Sequence, residues 1–335
     1  MHPRNLNLNF LILLLVGLLL AACDPMARAP LATPQTIIIT AVPSPTDSVS
    51  PTPPPPTATP PPTATPAPTA TPFPCRTDDG QVVRVDDFPS VVAGGENLRY
   101  RVYVPPCYQE SGRRYPVVIL LHGAASREDQ WEELGVTLTA DQGFTLGTLP
   151  PMIIVMPYWG AIGNDNTFPP DPSYEDVVLN ELLPAVERDF CTLNNREFRA
   201  IGGISRGGFW AYSIGLRHPD VFGIIGGHSA FFTSDLNLVP PAFNPTELAA
   251  NSPLLPQARL RLYLDNGADD PAGRAIEAFS TELTRRSIPH IYVVNPTGGH
   301  DAAYWAAHVA EYLAFYGRAW PRNAAQLPAC AEPSP

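Results

Sequence analysis

Residues 203–207 read Gly-Ile-Ser-Arg-Gly, a G-x-S-x-G pentad centred on Ser205, directly after the apolar run FRAIGGI and before the helix-like run GGFWAYSIGLRH. A serine hydroxyl is a weak nucleophile until a base removes its proton, an acid orients that base, and backbone donors receive the developing oxyanion. On a sharp strand-to-helix turn, with small neighbours avoiding clashes between strand and helix, Ser205 is expected to be strained and presented for attack on a carbonyl. The chemistry implied is two-step acyl transfer: Ser205 attacks, an acyl-enzyme forms, and a second nucleophile releases it.

The partners can be sought in chain order. His300, in NPTGGHDAAYW, follows the last strand-like run and precedes a helix, which suits the base. His228, in GGHSAFF, also ends a strand-like run but precedes the acid in sequence, against the Ser, acid, His order of a nucleophile elbow. It is the alternative base, or a residue of the substrate pocket. His218, His290 and His308 read as structural. RLYLDNGADDPAG supplies the acid: Asp270 is expected to orient His300, Asp269 is the alternative, and Asp265 still lies within the strand. In VVILLHGAAS the backbone N–H of Ala124 can pair with that of Arg206 as the oxyanion donors. Substrate choice is expected in PYWGAIGNDNTFPPDPSY and in residues 229–257. There Tyr158, Trp159, Phe168, Phe231 and Phe232 are either pocket-lining groups or loop anchors.

The elements that must position these residues alternate in kind. QVVRVDDFPSVV and ENLRYRVYV flank AGG as an antiparallel hairpin, and PVVILL, MIIVMP, FRAIGGI, VFGIIGG, RLRLYLD and HIYVVN are short apolar runs of buried-strand type. Between most of them lie amphipathic stretches of helical spacing, so a mostly parallel sheet covered on both faces is expected. Such sheets carry their sites at the carboxyl ends of the strands, where the candidate residues fall.

The first 22 residues read as an export signal: a basic start, the apolar run LILLLVGLLLAA, and LAAC, which resembles a bacterial lipobox with Cys23 as the lipidated residue. Asp24 after it resembles an inner-membrane retention signal. Many of the 42 prolines crowd residues 43–74, so residues 24–74 are expected to be a disordered Pro/Thr-rich stalk ahead of a catalytic domain at 75–335. At about 3.1 Å per residue such a stalk reaches roughly 150 Å. Cys75, Cys107, Cys191 and Cys330 are an even set in a compartment that permits disulfides, and Cys107–Cys191 with Cys75–Cys330 is the favoured pairing among three. No C-x-x-C pair suggests a metal. All 21 basic residues are Arg, which excludes lysine Schiff bases, a P-loop lysine and Ser-Lys dyads. A net charge of −11 without a basic run argues against nucleic acid.

LLHG, GGISRGG, NGADD and GGHDAAYW, in this order, together with YRVYVPPCY and ANSPL, resemble the esterase D family of α/β-hydrolases over roughly residues 80–318. That family includes feruloyl and acetylxylan esterases, S-formylglutathione hydrolases, siderophore esterases and mycolyltransferases. The resemblance implies an α/β-hydrolase fold, a serine carboxylic-ester hydrolase without cofactor, His300 as base and Asp270, three residues beyond Gly267, as acid. With the export signal it points to a lipid-anchored enzyme outside the cytoplasm acting on small or polysaccharide-linked esters. Two other readings stand beside it: an acyltransferase with a sugar hydroxyl as acceptor, and a non-catalytic envelope- or carbohydrate-binding lipoprotein.

Overall fold

The computed structural model describes residues 35–39 and 79–330. The export signal, Cys23, Cys75 and most of the Pro/Thr-rich segment lie outside the described residues.

Among the described residues nine strands, β1 Gln35–Ile39, β2 Gln81–Val85, β3 Tyr100–Val104, β4 Val117–Leu121, β5 Ile153–Pro157, β6 Arg199–Ile204, β7 Ile224–His228, β8 Arg261–Gly267 and β9 His290–Asn295, form one sheet in the order β1-β9-β8-β7-β6-β4-β5-β3-β2. Pairing is parallel from β5 to β9 and antiparallel where β1, β3 and β2 join. The anticipated hairpin is β2 and β3, although its first strand ends at Val85; residues 86–88 leave the ladder, and Pro89 pairs again only as an isolated antiparallel bridge with Asn97.

The stretch Gln35–Ile39 corrects an expectation, since it lies inside the segment read as wholly disordered. QTIII is largely β-branched, which suits an edge strand; the prolines around it masked that signal.

The helices are α1 Val136–Thr145, α2 Leu183–Asp189, α3 Arg206–Arg217, α4 Pro245–Asn251, α5 Gly273–Arg285 and α6 Ala302–Gly317, with shorter turns between. The amphipathic stretch REDQWEELGVTLTADQ after β4 is split, because Gly135 at φ +85° ends one turn and opens α1. A π-helical Val177–Leu182 leads into α2, whose first turn holds Pro184 without an N–H to donate.

Alternation along the central strands sorts the core into two layers. Val117, Ile119, Leu121, Ile153 and Val155 face one cluster, under α2, α3 and α5. Val118, Leu120, Ile154 and Met156 face the other, under α1 and α6. Both faces are covered, so these strands are apolar throughout. The chain leaves β4 toward β5 on one side and β6 on the other, and at this switch the loops after β4 and β6 splay into a crevice.

The C-terminal segment decides the disulfides. It runs back along residues 112–114, with Cys330 N–H on Gly112 O at 2.8 Å and Arg114 N–H on Pro328 O at 2.9 Å. This brings Cys330 to Cys191, and those two are bonded, so neither favoured pairing forms. Cys107 is also disulfide-bonded.

Candidate active site

Ser205 sits between β6 and α3 at φ +54°, ψ −114°, a conformation that costs a non-glycine residue of order 1–3 kcal/mol. The turn is possible because its neighbours are bare. A Cβ on Gly203 would lie 2.4 Å from the backbone of Gly207, and one on Gly207 would lie 2.5 Å from the carbonyls of Leu121 and His122. The strain is held from outside: Ser205 N–H donates to His228 O at 3.0 Å, and Phe231 N–H donates to Ser205 O at 2.9 Å.

Ser205 Oγ lies 2.9 Å from His300 Nε2, and His300 Nδ1 lies 3.0 Å from Asp270 Oδ1. With Nδ1–H donating to the carboxylate, Nε2 presents its lone pair to the serine hydroxyl. Asp270 also accepts Ala272 N–H at 2.8 Å. Burial pushes the Asp270 carboxyl toward the neutral form, but His300, the Ser229 hydroxyl and Ala272 N–H together outweigh it and hold the carboxyl below its ordinary range. Asp269, the alternative acid, is exposed, its N–H engaged with Gly298 O at 3.1 Å. The Trp305 ring stands edge-on to His300, centroids 5.2 Å apart, and its Nε1–H donates to Ser229 Oγ at 2.9 Å.

Across the crevice, Gly123 N–H is held by Gln130 Oε1 at 2.7 Å, which fixes the loop carrying the exposed Ala124. Arg206 opens α3, where an N–H has no intrahelical carbonyl to meet. His122 is buried against Trp159, ring centroids 3.8 Å apart, with Nδ1–H on Gly123 O at 2.7 Å. Burial lowers its pKa to about 4, so the ring is neutral at physiological pH.

Two residues expected in the substrate pocket are placed elsewhere. His228 is fully buried: Nδ1 meets Asp265 Oδ1 at 2.8 Å and Nε2 meets the Tyr316 hydroxyl at 2.8 Å. Asp265 accepts further hydroxyls from Tyr304 at 2.6 Å and Tyr312 at 2.9 Å. The cause is α6, whose tyrosines reach into the sheet where Gly202 and Gly226 leave room; a Cβ on either would fall within 2.1 Å of Tyr316 Oη. Trp159 is likewise fully buried on His122. Phe168 and Phe232 are core anchors, against Phe243 and Phe279 respectively. Tyr158 is partly exposed, and Phe231 is 50% exposed beside the nucleophile.

Sequence reasoning missed Ser229, Trp305 and Gln130, which support the three main players. Only their spacing carries a signal: Ser229 directly follows a strand end, and Trp305 lies in the first turn of the helix that follows His300. Among the described residues no group of three or more His, Cys, Asp or Glu could hold a metal ion.

Comparison with known proteins bears on the family and the fold. The family model described as "Putative esterase" matches residues 92–316, more than half of the chain. An endo-1,4-beta-xylanase/feruloyl esterase of Xylanibacter ruminicola is 33% identical over 39% of this chain and 19% of its own length. An esterase of Mycobacterium tuberculosis is 31% identical over 67% of this chain and 48% of its own. The chain thus spans less than half the length of these relatives. Among solved structures, a ferulic acid esterase superposes with a TM-score of 0.64 at 28% identity, covering 72% of this chain and 99% of that one. An S-formylglutathione hydrolase of Staphylococcus aureus superposes at 0.60 with 20% identity, covering 71% and 98%, a likeness of fold. By the family match and the fold together, this chain belongs to the esterase family of α/β-hydrolases.

Proposed function

We propose that the protein is a serine carboxylic-ester hydrolase in which Ser205 is the nucleophile, His300 the base and Asp270 the orienting acid. The observation that carries this reading is the hydrogen-bonded chain Asp270–His300–Ser205, at 3.0 and 2.9 Å, ending on a serine at positive φ. His300 takes the hydroxyl proton as Oγ attacks the ester carbonyl, and Asp270 stabilises the imidazolium that forms. The N–H groups of Ala124 and Arg206 receive the oxyanion. His300 then protonates the leaving alcohol and, in the second step, activates water to release the acid.

The acyl group we propose is aromatic, of the hydroxycinnamoyl kind. Two relatives named as feruloyl or ferulic acid esterases support this, as does the half-exposed Phe231, whose backbone N–H bonds Ser205 O. The lipobox-like LAAC and the Pro/Thr-rich segment support a lipid-anchored enzyme outside the cytoplasm, acting on esters carried by polysaccharide.

The test is hydrolysis of p-nitrophenyl acetate and methyl ferulate by the purified protein and its Ser205→Ala variant. The expected result is turnover on both esters, faster on the ferulate, reduced by roughly six orders of magnitude in the variant. Activity that survives Ser205→Ala refutes the nucleophile, and acyl products appearing only when a sugar acceptor is added convert the hydrolase into a transferase.

A further inference from the structure

Arg206 follows the nucleophile, and its side chain has a separate environment from its backbone. The guanidinium is the centre of a single turn of chain. Nε donates to Gly163 O at 3.2 Å, Nη1 to Asn166 Oδ1 at 2.7 Å, and Nη2 to Asn164 O at 3.4 Å and Asp165 O at 2.8 Å. The planar group also lies over the rings of Phe209 and Trp210, 4.9 and 5.2 Å from their centroids. No carboxylate among the described residues bonds it. Burial lowers its pKa to about 10, with only the Asp165 charge opposing, so it remains a cation at neutral pH. Desolvating a cation to bind main-chain carbonyls is costly unless its donors are used, and here they are spread over four consecutive residues.

That turn leads to the other side of the crevice. Gly163 O takes a second hydrogen bond from Trp210 Nε1 at 2.8 Å, and Gly163 N–H donates to Trp159 O at 3.1 Å. Gly163 packs so tightly on the Trp159 ring that a Cβ there would lie 2.4 Å away. Trp159 in turn packs against His122, the rings tilted by 36° with centroids 3.8 Å apart, and His122 opens the Gly123–Ala124 loop. An unbroken line of contacts therefore joins the guanidinium of Arg206 to the loop carrying the partner of its own N–H.

We propose that Arg206 is a positioning residue: its guanidinium seats the Gly163–Asn166 turn and, through Trp159 and His122, sets the separation of the Ala124 and Arg206 amides that receive the oxyanion. The proposal rests on the acyl-transfer reading above and deepens it. Arginine suits the task where lysine does not, because a flat fork can serve four acceptors in one plane while an ammonium offers three donors at a point. An oxyanion forms only in the transition state, so disturbing these amides should change kcat and leave KM nearly alone.

The test compares wild type, Arg206→Met, Arg206→Lys, Asn166→Ala and Ser205→Ala as full chains, by steady-state kinetics on methyl ferulate, inhibition by phenylboronic acid, and melting temperature. The boronate adds Ser205 Oγ reversibly and places an anionic oxygen where the oxyanion forms. Arg206→Met should lower kcat about 10- to 100-fold, as small misplacements of catalytic groups do. KM should stay within about threefold, and boronate affinity should fall by about the same factor as kcat. Arg206→Lys, which keeps the charge, should recover less than half of that loss on a logarithmic scale, and Asn166→Ala should lose a few-fold, about 2 to 5. If Arg206→Met does not fold, the lysine and Asn166 variants decide by the same criteria. A folded set whose kcat and boronate affinity stay within twofold of wild type, or whose loss lies wholly in KM, overturns the proposal while the Ser205→Ala result upholds the acyl-transfer reading. Activity retained in Ser205→Ala overturns both.

Discussion

Replacing Asp270 with asparagine is the most discriminating perturbation of the site, because it changes one charge and almost no shape. In the resting enzyme Asp270 Oδ1 receives His300 Nδ1–H at 3.0 Å. When His300 takes the serine proton that contact becomes an ion pair with charge centres roughly 4 Å apart, worth about 4 kcal/mol at an effective dielectric constant of about 20. The substituted amide would retain an acceptor oxygen but no charge, so the imidazolium loses that stabilisation and kcat falls by about a thousandfold. The carboxyl is held below its ordinary range, so the loss should persist throughout the neutral range. The assay is kcat on methyl ferulate from about pH 6 to 9 for Asp270→Asn beside Asp269→Asn, whose side chain is exposed and which should stay within about twofold of wild type. Equal losses in the two variants, or an Asp270→Asn enzyme within tenfold of wild type, would refute the assignment of the acid and the electrostatic argument with it.

Stability should carry a signature of His122. Its folded-state pKa of about 4 lies below the unfolded value near 6.5, so the unfolded chain binds the proton first and stability is lost as pH falls from about 6.5 to 4. The loss approaches about 3 kcal/mol, and urea titrations of His122→Phe should show a correspondingly flatter pH dependence. The remaining slope belongs partly to His290, whose pKa burial also lowers. Cys330→Ser opens a loop of 139 residues, which costs on the order of 5 kcal/mol by chain entropy and should appear as a large drop in melting temperature. Gly207→Ala drives a methyl group to within 2.5 Å of two backbone oxygens, so it should destabilise by about 3 kcal/mol or more and abolish turnover.

Much of the site was legible because its cues are local. A strand, a bare-glycine turn and a helix in succession force Ser205 into its strained conformation, and that sequence of cues is contiguous. The order of apolar runs placed His300 and Asp270 at the ends of neighbouring parallel strands, from which they reach Ser205. Locality also explains the failures. QTIII carried its own strand signal, but neighbouring prolines dominated the composition of its window. His228 and Trp159 resembled pocket residues because polar and aromatic types near strand ends usually are. Nothing within several residues of either reveals that α6 tyrosines and the His122 ring cover them.

By itself, then, the sequence determined the fold class and the strand-turn-helix setting of Ser205, which depend on periodicity and on backbone sterics over a few adjacent positions, and it narrowed the base to His300 or His228 and the acid to Asp270 or Asp269. The tertiary structure alone decided that Cys330 pairs with Cys191, that Asp265 and His228 are buried under α6, and that the Arg206 guanidinium holds the Gly163–Asn166 turn. Those contacts join residues tens to more than a hundred positions apart. Their partners are selected by which surfaces the packed sheet and helices bring within a few ångströms, a property of the assembled layers that no short window of chain contains.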